Sequence, residues 1–190
     1  MHRTLPLALA LVSLAACNRE KTDVPASDAT GTAAAPVDTS SFEAPMTLSS
    51  GQFGNAMASS DAFEIQSAKL AATRATTAKV KAFAAMMIKD HAKSTADLKE
   101  TAAKLTPQLV LDPALSRSQQ SDIDELRAAT ADTFDAVYAR QQVAAHEKAV
   151  QTLDDYAAHG TSDPLKAFAA KTAAVVRDHL QQAKDLMPTP

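Results

Sequence analysis

The chain has 190 residues, of which only four are glycine and two are tyrosine, and it contains no tryptophan. Its many alanine, lysine, glutamate and glutamine residues are typical of a helical protein, and the length allows one domain with a substantial core. The net charge of −3 comes from acidic and basic residues that are interspersed throughout. This pattern argues against nucleic acid as a partner, because no basic stripe is available to follow a phosphate backbone.

The N-terminus is typical of an exported protein. Arg3 gives a positive start, and the apolar stretch at 5–14 is too short to span a bilayer. The tetrapeptide LAAC at 14–17 is similar to a bacterial lipobox, in which cleavage makes the cysteine the lipidated first residue. We therefore predict a lipoprotein signal peptide over 1–16 and lipidation of Cys17. The alternative is an ordinary exported protein with a chance cysteine.

The residues after the cysteine predict a membrane anchor followed by a tether. Several acyl chains on Cys17 would give stable attachment to a membrane. Asn18 rather than aspartate follows, which by enterobacterial sorting rules favours the outer membrane, with the protein facing the periplasm. The segment up to about residue 47 is rich in Ala, Thr, Ser, Asp and Pro and shows no apolar period, which predicts disorder. The predicted organisation is the lipidated cysteine and linker over 17–48 and a helical domain over 49–187.

The positions of the prolines leave room for four long helices, because proline inside a helix costs about 3 kcal/mol. Ser49 and Gln52 have the spacing of a capping box, and Asp163 is suited to cap the last helix. The third helix allows a bend near Thr130, and residues 106–116 are predicted to connect the two halves. The predicted helices lie at about 50–75, 78–105, 118–158 and 164–186.

Each predicted helix places one ionisable side chain on its buried face. His91, His146 and His179 lie on the apolar stripes of the second, third and fourth helices, and Glu64 lies on the inner side of the first. All four are roughly 17 to 23 Å from a hairpin end, so they share one level and could converge. The predicted stripe of the fourth helix consists of Leu165, Phe168, Thr172, Val175, His179, Gln182 and Leu186.

Convergence has two interpretations. Three imidazoles and a carboxylate can coordinate a divalent transition metal, such as zinc, manganese or iron, and they argue against a soft copper(I) site. Asp90 and Asp178 would then orient a histidine on a neighbouring helix, or they are simply solvated or salt-bridged acids. The other interpretation is a structural network, in which Glu64 pairs with one histidine and the others form hydrogen bonds within the core.

Four segments carry a resemblance to a known family: FEIQSAKLA, VKAFAAMMIKDH, FDAVYARQQVAAHEKAV and LKAFAAKTAAVVRDHL. In order and spacing they resemble domain of unknown function 4142, a bacterial envelope family often labelled "predicted outer membrane protein". The resemblance implies an all-α, ferritin-like antiparallel four-helix bundle and an envelope-associated protein, and it implies no established catalysis. The family's recurring positions fall on Glu64, Asp90, His91, Phe134, Asp135, His146 and His179.

Two functions follow from the sequence. The favoured one is an envelope-anchored lipoprotein whose helical domain is a spacer or interaction module without enzymatic activity. The alternative is a periplasmic metal-binding protein that protects against oxidative or envelope stress. Ferroxidase chemistry is disfavoured, because the Glu-x-x-His pairs of di-iron ferritins are missing, with Ile88, Val143 and Val176 three residues before the histidines. The sequence also has no serine or cysteine nucleophile beside a base and no glycine-rich phosphate loop.

Overall fold

A computed structural model describes residues 48–187, and this part of the chain is all-α. The predicted signal peptide, the lipidation site at Cys17 and the linker up to residue 47 lie outside the described residues. Among the described helices, none combines the length and the apolar character that crossing a membrane requires. The five helices are α1 (Ser50–Arg74), α2 (Ala78–Ala103), α3 (Arg117–Ala128), α4 (Phe134–His159) and α5 (Asp163–Lys184).

The first two helices begin where the sequence predicts. Ser49 and Gln52 form the predicted capping box, in which each side chain accepts a hydrogen bond from the other residue's backbone N–H. The hydroxyl oxygen of Thr77 accepts a hydrogen bond from Val80 N at 3.3 Å and caps α2. These bonds satisfy backbone donors that a helix start otherwise leaves free. At the last helix, the N-cap position is Ser162 rather than the predicted Asp163, its side chain forms no capping hydrogen bond, and Pro164 lies in the first turn.

The prediction of one long third helix is wrong, because the chain forms two helices with a break at 129–133 rather than a bend. Thr130 Oγ1 donates a hydrogen bond to Asp132 Oδ1 at 2.5 Å, and Thr130 N donates one to Thr133 Oγ1 at 3.1 Å. Such local side-chain bonds compete with helical backbone pairing. The shorter helix, α3, has its own capping box at Ser116 and Gln119. Over residues 48–187, five helices therefore replace the predicted four.

The four long helices surround a common interior. Helices α1 and α2 pack together, as do α4 and α5, while α1 also contacts α4 and α2 contacts α5. The loops at 75–77 and 160–162 are short, so each pair is an antiparallel hairpin. Helix α3 lies outside this arrangement, against α1 and α4. The middles of the four long helices consequently meet at one level.

Two hydrophobic clusters occupy the two ends of the interior. The first cluster includes Phe53, whose ring stacks on Tyr156 with centroids 3.9 Å apart. The second cluster includes Phe83 and Tyr138, whose rings meet edge to face. The first contains residues from the start of α1 and the end of α4, and the second contains residues from the opposite helix ends. Most of the buried polar side chains lie in the layer between them.

The buried face of α5 differs from the predicted stripe. Val175 is 45% exposed and Gln182 is exposed, whereas Val176 and Ala183 are buried. Spacings of three and four residues fit two adjacent stripes of this sequence equally well. The stripe that is buried in the structure carries Ala169, Ala173 and Ala183. His179 is buried on either stripe, so its predicted inward position is unaffected.

Candidate metal centre

Three buried histidines from three helices meet in the polar layer, and we call His91, His146 and His179 the histidine triad. One ring nitrogen of each lies within 4.8 Å of the corresponding nitrogens of the other two. The ring centroids are 5.6 to 5.7 Å apart, so the three imidazoles form a nearly equilateral triangle. The structure thus brings together three of the four side chains that the sequence singled out as ligands.

One nitrogen of each imidazole is held by a hydrogen bond. His91 Nδ1 lies 2.9 Å from Asp61 Oδ1, and His179 Nε2 lies 3.2 Å from Asp90 Oδ2. His146 Nδ1 lies 2.8 Å from the backbone oxygen of Gln142. Because carboxylate and carbonyl oxygens can only accept, these nitrogens carry the proton in each pair. The bonds fix the orientation of each ring and leave the opposite nitrogen free.

The opposite nitrogens are buried and have no hydrogen-bond partner within the described residues, namely His91 Nε2, His146 Nε2 and His179 Nδ1. A buried polar atom without a partner costs about 1 to 3 kcal/mol. Imidazoles that bind a metal have the same arrangement, with one nitrogen on the ion and the other donating to a carboxylate or carbonyl. The residues present therefore fit a transition-metal ion, which would satisfy all three nitrogens at once.

Asp61 orients His91, and the sequence analysis missed this residue. Its side chain is buried, and its second oxygen accepts a hydrogen bond from Thr95 Oγ1 at 3.1 Å. Asp61 precedes Glu64 by three residues, which places both carboxylates on one face of α1. That spacing is the signal that could have identified it. Gln142, four residues before His146, is a second buried polar residue that the sequence analysis did not single out.

Glu64 lies beside the triad but outside the convergent group. Its Oε1 is 3.7 Å from His146 Nδ1, which is the nitrogen already bonded to Gln142 O. Its Oε2 is buried without a hydrogen-bond partner in the described part of the chain. The structure therefore places this carboxylate on the outer side of the His146 ring, and its role as a metal ligand stays a prediction.

The two predicted orienting aspartates have different positions. Asp90 is partly exposed and contacts His179 on the neighbouring helix, as the sequence suggested. Asp178 is exposed, and within residues 48–187 its carboxylate forms no hydrogen bond or ion pair with any imidazole of the triad. The structure therefore offers Asp178 no orienting role at the triad. The second orienting carboxylate is Asp61 instead.

Burial and neighbouring charges set the protonation of the site. Burial lowers the pKa of His146 to about 3, and burial together with the charge of His91 lowers the pKa of His179. Burial also acts to lower the pKa of His91, but the hydrogen bond to Asp61 and the nearby carboxylates outweigh it and raise that pKa. Burial raises the pKa of Glu64 to about 7. Two of the three imidazoles are therefore neutral at neutral pH, as metal binding requires.

Comparison with known proteins gives a family and a structural relative. The family model described as "Domain of unknown function (DUF4142)" matches residues 35–186. No curated protein sequence matches the chain. A solved structure described as "CopM in the Cu(II)-bound form" is similar with a TM-score of 0.63 and 18% identity, covering 74% of this chain and 96% of that one. At this level of identity, the likeness indicates a shared fold.

Proposed function

The chain belongs to the DUF4142 family, and from that premise we propose that its helical domain binds one late divalent transition-metal ion at the histidine triad. The observation that carries the proposal is the convergence of three buried imidazoles, each with one nitrogen held in place and one without a partner. The domain itself is proposed to be a ferritin-like four-helix bundle with α3 added on its outside. The mutual contacts of the four long helices support this arrangement.

A purely structural network explains the triad less well. In such a network, the second nitrogen of each ring would find a donor or acceptor within the core, because buried polar groups are normally paired. Here three ring nitrogens are buried without a partner among the described residues, in rings whose centroids are only 5.6 to 5.7 Å apart. Two neutral imidazoles cannot satisfy a third when their protons already point outward to Asp90 and Gln142. One metal cation bound between the three rings would give all three nitrogens a partner. Metal binding is therefore the function that the geometry supports best.

The donor set favours zinc or copper(II) over manganese. Imidazole nitrogens suit zinc, copper, nickel and iron, whereas manganese prefers carboxylates, carbonyls and water. Nitrogens bound to zinc at 2.0–2.1 Å lie about 3.4 Å apart in a tetrahedral site, so small side-chain rotations would draw the rings inward. The copper(II) named for the similar solved structure supports copper as a candidate here. Copper was not among the metals that the sequence suggested.

We also propose that the domain acts in the bacterial envelope, held to the outer membrane by lipid on Cys17. The lipobox-like LAAC at 14–17 supports this location. There the site would bind metal that enters the envelope, which links it to protection against metal or oxidative stress. Membrane fractionation of the wild type and of Cys17→Ser tests the anchor. A Cys17→Ser protein that stays in the membrane fraction would contradict it.

The metal itself is tested with protein purified without a histidine tag. We expect about one zinc or copper ion per chain by elemental analysis, and a loss of affinity of at least about 100-fold in His146→Ala. His159→Ala is the matched control, because His159 lies exposed on the same helix and contacts only Asp155 through its side chain among the described residues. Wild-type protein that takes up neither metal, and whose stability is unchanged by a chelator, would favour the spacer or interaction module instead.

A further inference from the structure

A small cavity lies against the triad. His91 and His179 form part of its wall, and its volume is about 30 Å³. Met57, Leu153 and Val176 of the first cluster form the opposite wall. The cavity therefore lies between the imidazoles and the first cluster, on the opposite side of the layer from the second cluster.

The sequence positions of the lining residues fix this location independently. Apart from Asp90, His91 and His179, which lie at the level of the triad, the lining residues from α1 and α5 precede Glu64 and His179, and those from α2 and α4 follow His91 and His146. Because the hairpins are antiparallel, all of these residues lie on one side of the triad. The cavity thus extends from the imidazoles by about one helical turn, toward the ends where α1 and α5 begin.

The cavity reaches the surface between α2 and α5. Asp90 and Ser94 line it from α2, and Thr172 and Val175 line it from α5. Val175 is exposed and the other three are partly exposed. Of these four side chains three are polar, and the hydroxyl groups of Ser94 and Thr172 are available to donate hydrogen bonds to a ligand. The cavity is therefore connected to solvent by a passage lined by these four side chains.

From this geometry we infer that a metal ion at the triad keeps one coordination position open toward the cavity, for a ligand of one to three heavy atoms. The inference rests on the proposed function. Sites with three protein ligands and a fourth exchangeable position are typical of zinc centres that act on a ligand, whereas structural zinc sites are closed. The cavity offers more than the roughly 10 to 15 Å³ that one water needs.

The size of the cavity also defines the chemical class of the ligand. Pockets for drug-sized molecules have about 300 to 1,000 Å³, roughly ten times or more the space found here. Water, hydroxide or a small oxygen- or nitrogen-donor anion fits, and a drug-sized organic molecule does not.

Azide binding to the cobalt-loaded protein tests the inference, because the visible spectrum of Co(II) reports changes in its coordination. We expect azide to change the spectrum saturably in the wild type. Ser94→Leu fills the passage and should weaken azide binding at least about tenfold while cobalt still binds. Ala96→Leu is the matched control, since it adds the same side chain at an exposed position on the same helix.

Each outcome is decisive. Cobalt that binds without responding to azide overturns the open position and leaves the proposed function intact, whereas a wild type that binds no cobalt, zinc or copper overturns the proposed function itself. Equal azide binding in Ser94→Leu and the wild type would overturn the inference that the ligand enters through this passage. If Ser94→Leu does not fold, Thr172→Leu blocks the same passage from α5, with Ala170→Leu as its control.

Discussion

Glu64 has a buried carboxylate in a layer that already contains Asp61 and His91. Burial raises its pKa from 4.5 to about 7, although the charge of His91 acts in the opposite direction. In the unfolded chain the same group titrates near 4.5. Between these values the folded state binds more protons than the unfolded state, so this group's contribution to stability is complete below pH 4.5 and is lost as the pH rises through 7.

Replacing Glu64 with glutamine isolates this contribution. For metal-free protein, we expect the free energy of unfolding of the wild type, relative to Glu64→Gln, to fall by up to about 3 kcal/mol between pH 4.5 and pH 8. Urea unfolding across this range measures the difference. Glu147→Gln is the control, because Glu147 is a half-exposed residue of α4 in a surface ion pair. A difference that is constant with pH would mean that Glu64 is not desolvated as described.

The inward histidines could be predicted from the sequence, and so could Asp90 as the partner of one of them, but the other two partners could not. His91, His146 and His179 lie on regular apolar stripes, so helical periodicity is enough to turn them toward the interior. Asp61 holds His91 across two helices, and the partner of His146 is a backbone oxygen. Such contacts depend on the rotation of each helix about its axis. The periodicity of α5 did not determine that rotation, as the exposed Val175 shows.

At the level of elements, α3 depends on a residue from another helix. The guanidinium of Arg74, at the end of α1, donates hydrogen bonds to the backbone oxygens of Leu126 and Arg127 at 2.6 and 2.8 Å and of Ala129 at 2.5 Å. It also lies 5.0 Å from the centre of the Phe134 ring. These carbonyls would otherwise be free at the helix end, and a cation there also interacts favourably with the helix dipole.

Removing this side chain should loosen α3 selectively. In Arg74→Ala we expect the opening free energy of the last turn of α3 to fall by about 1 to 3 kcal/mol, measured by amide hydrogen exchange. Arg74→Lys should restore little of this opening free energy, because an ammonium group lacks the planar fork with which a guanidinium contacts several carbonyls. Arg127→Ala removes a cation from an exposed ion pair with Asp124 on α3 and serves as the control. Equal exchange in all three variants and the wild type would contradict the role of Arg74.

The break before α4 shows where element prediction from sequence reaches its limit. The window at 118–158 contains neither proline nor glycine, so its composition predicts a continuous helix. The bonds among Thr130, Asp132 and Thr133 end it instead, and Arg74 stabilises the end from more than fifty residues away. By contrast, the capping box at Ser49 is a local signal, and the sequence placed the start of α1 correctly.

In the whole molecule, the triad joins two hairpins. His91 belongs to the α1–α2 hairpin, and His146 and His179 belong to the α4–α5 hairpin. The sequence predicted their common level because antiparallel helices of similar length place their middles together. Which helices are neighbours could not be derived from the sequence, because residues 106–116 were predicted only to connect the two halves. The tertiary contacts settle it, with α1 beside α4 and α2 beside α5.

An ion that contacts both hairpins should stabilise the folded domain mainly by slowing its unfolding. With free metal at one hundred times its dissociation constant, we expect about 2.7 kcal/mol of additional stability. Stopped-flow unfolding in urea, with and without zinc, measures how much of this gain appears as slower unfolding. His146→Ala should show no response to zinc, while His159→Ala should respond as the wild type does. A gain in stability that appears only as faster refolding would contradict the prediction that the ion mainly slows unfolding.

The division of the three imidazoles between the hairpins has a consequence for chain entropy. Cys17 is the only cysteine, so the chain cannot form an internal disulfide. Coordination would supply the missing cross-link, closing one loop between His91 and His146 and a second between His146 and His179. Loops of this length restrict an unfolded chain by an amount on the order of 4 kcal/mol when a covalent bond closes them. Because metal coordination is reversible, the metal concentration around the protein would then set how strongly the domain is stabilised against unfolding.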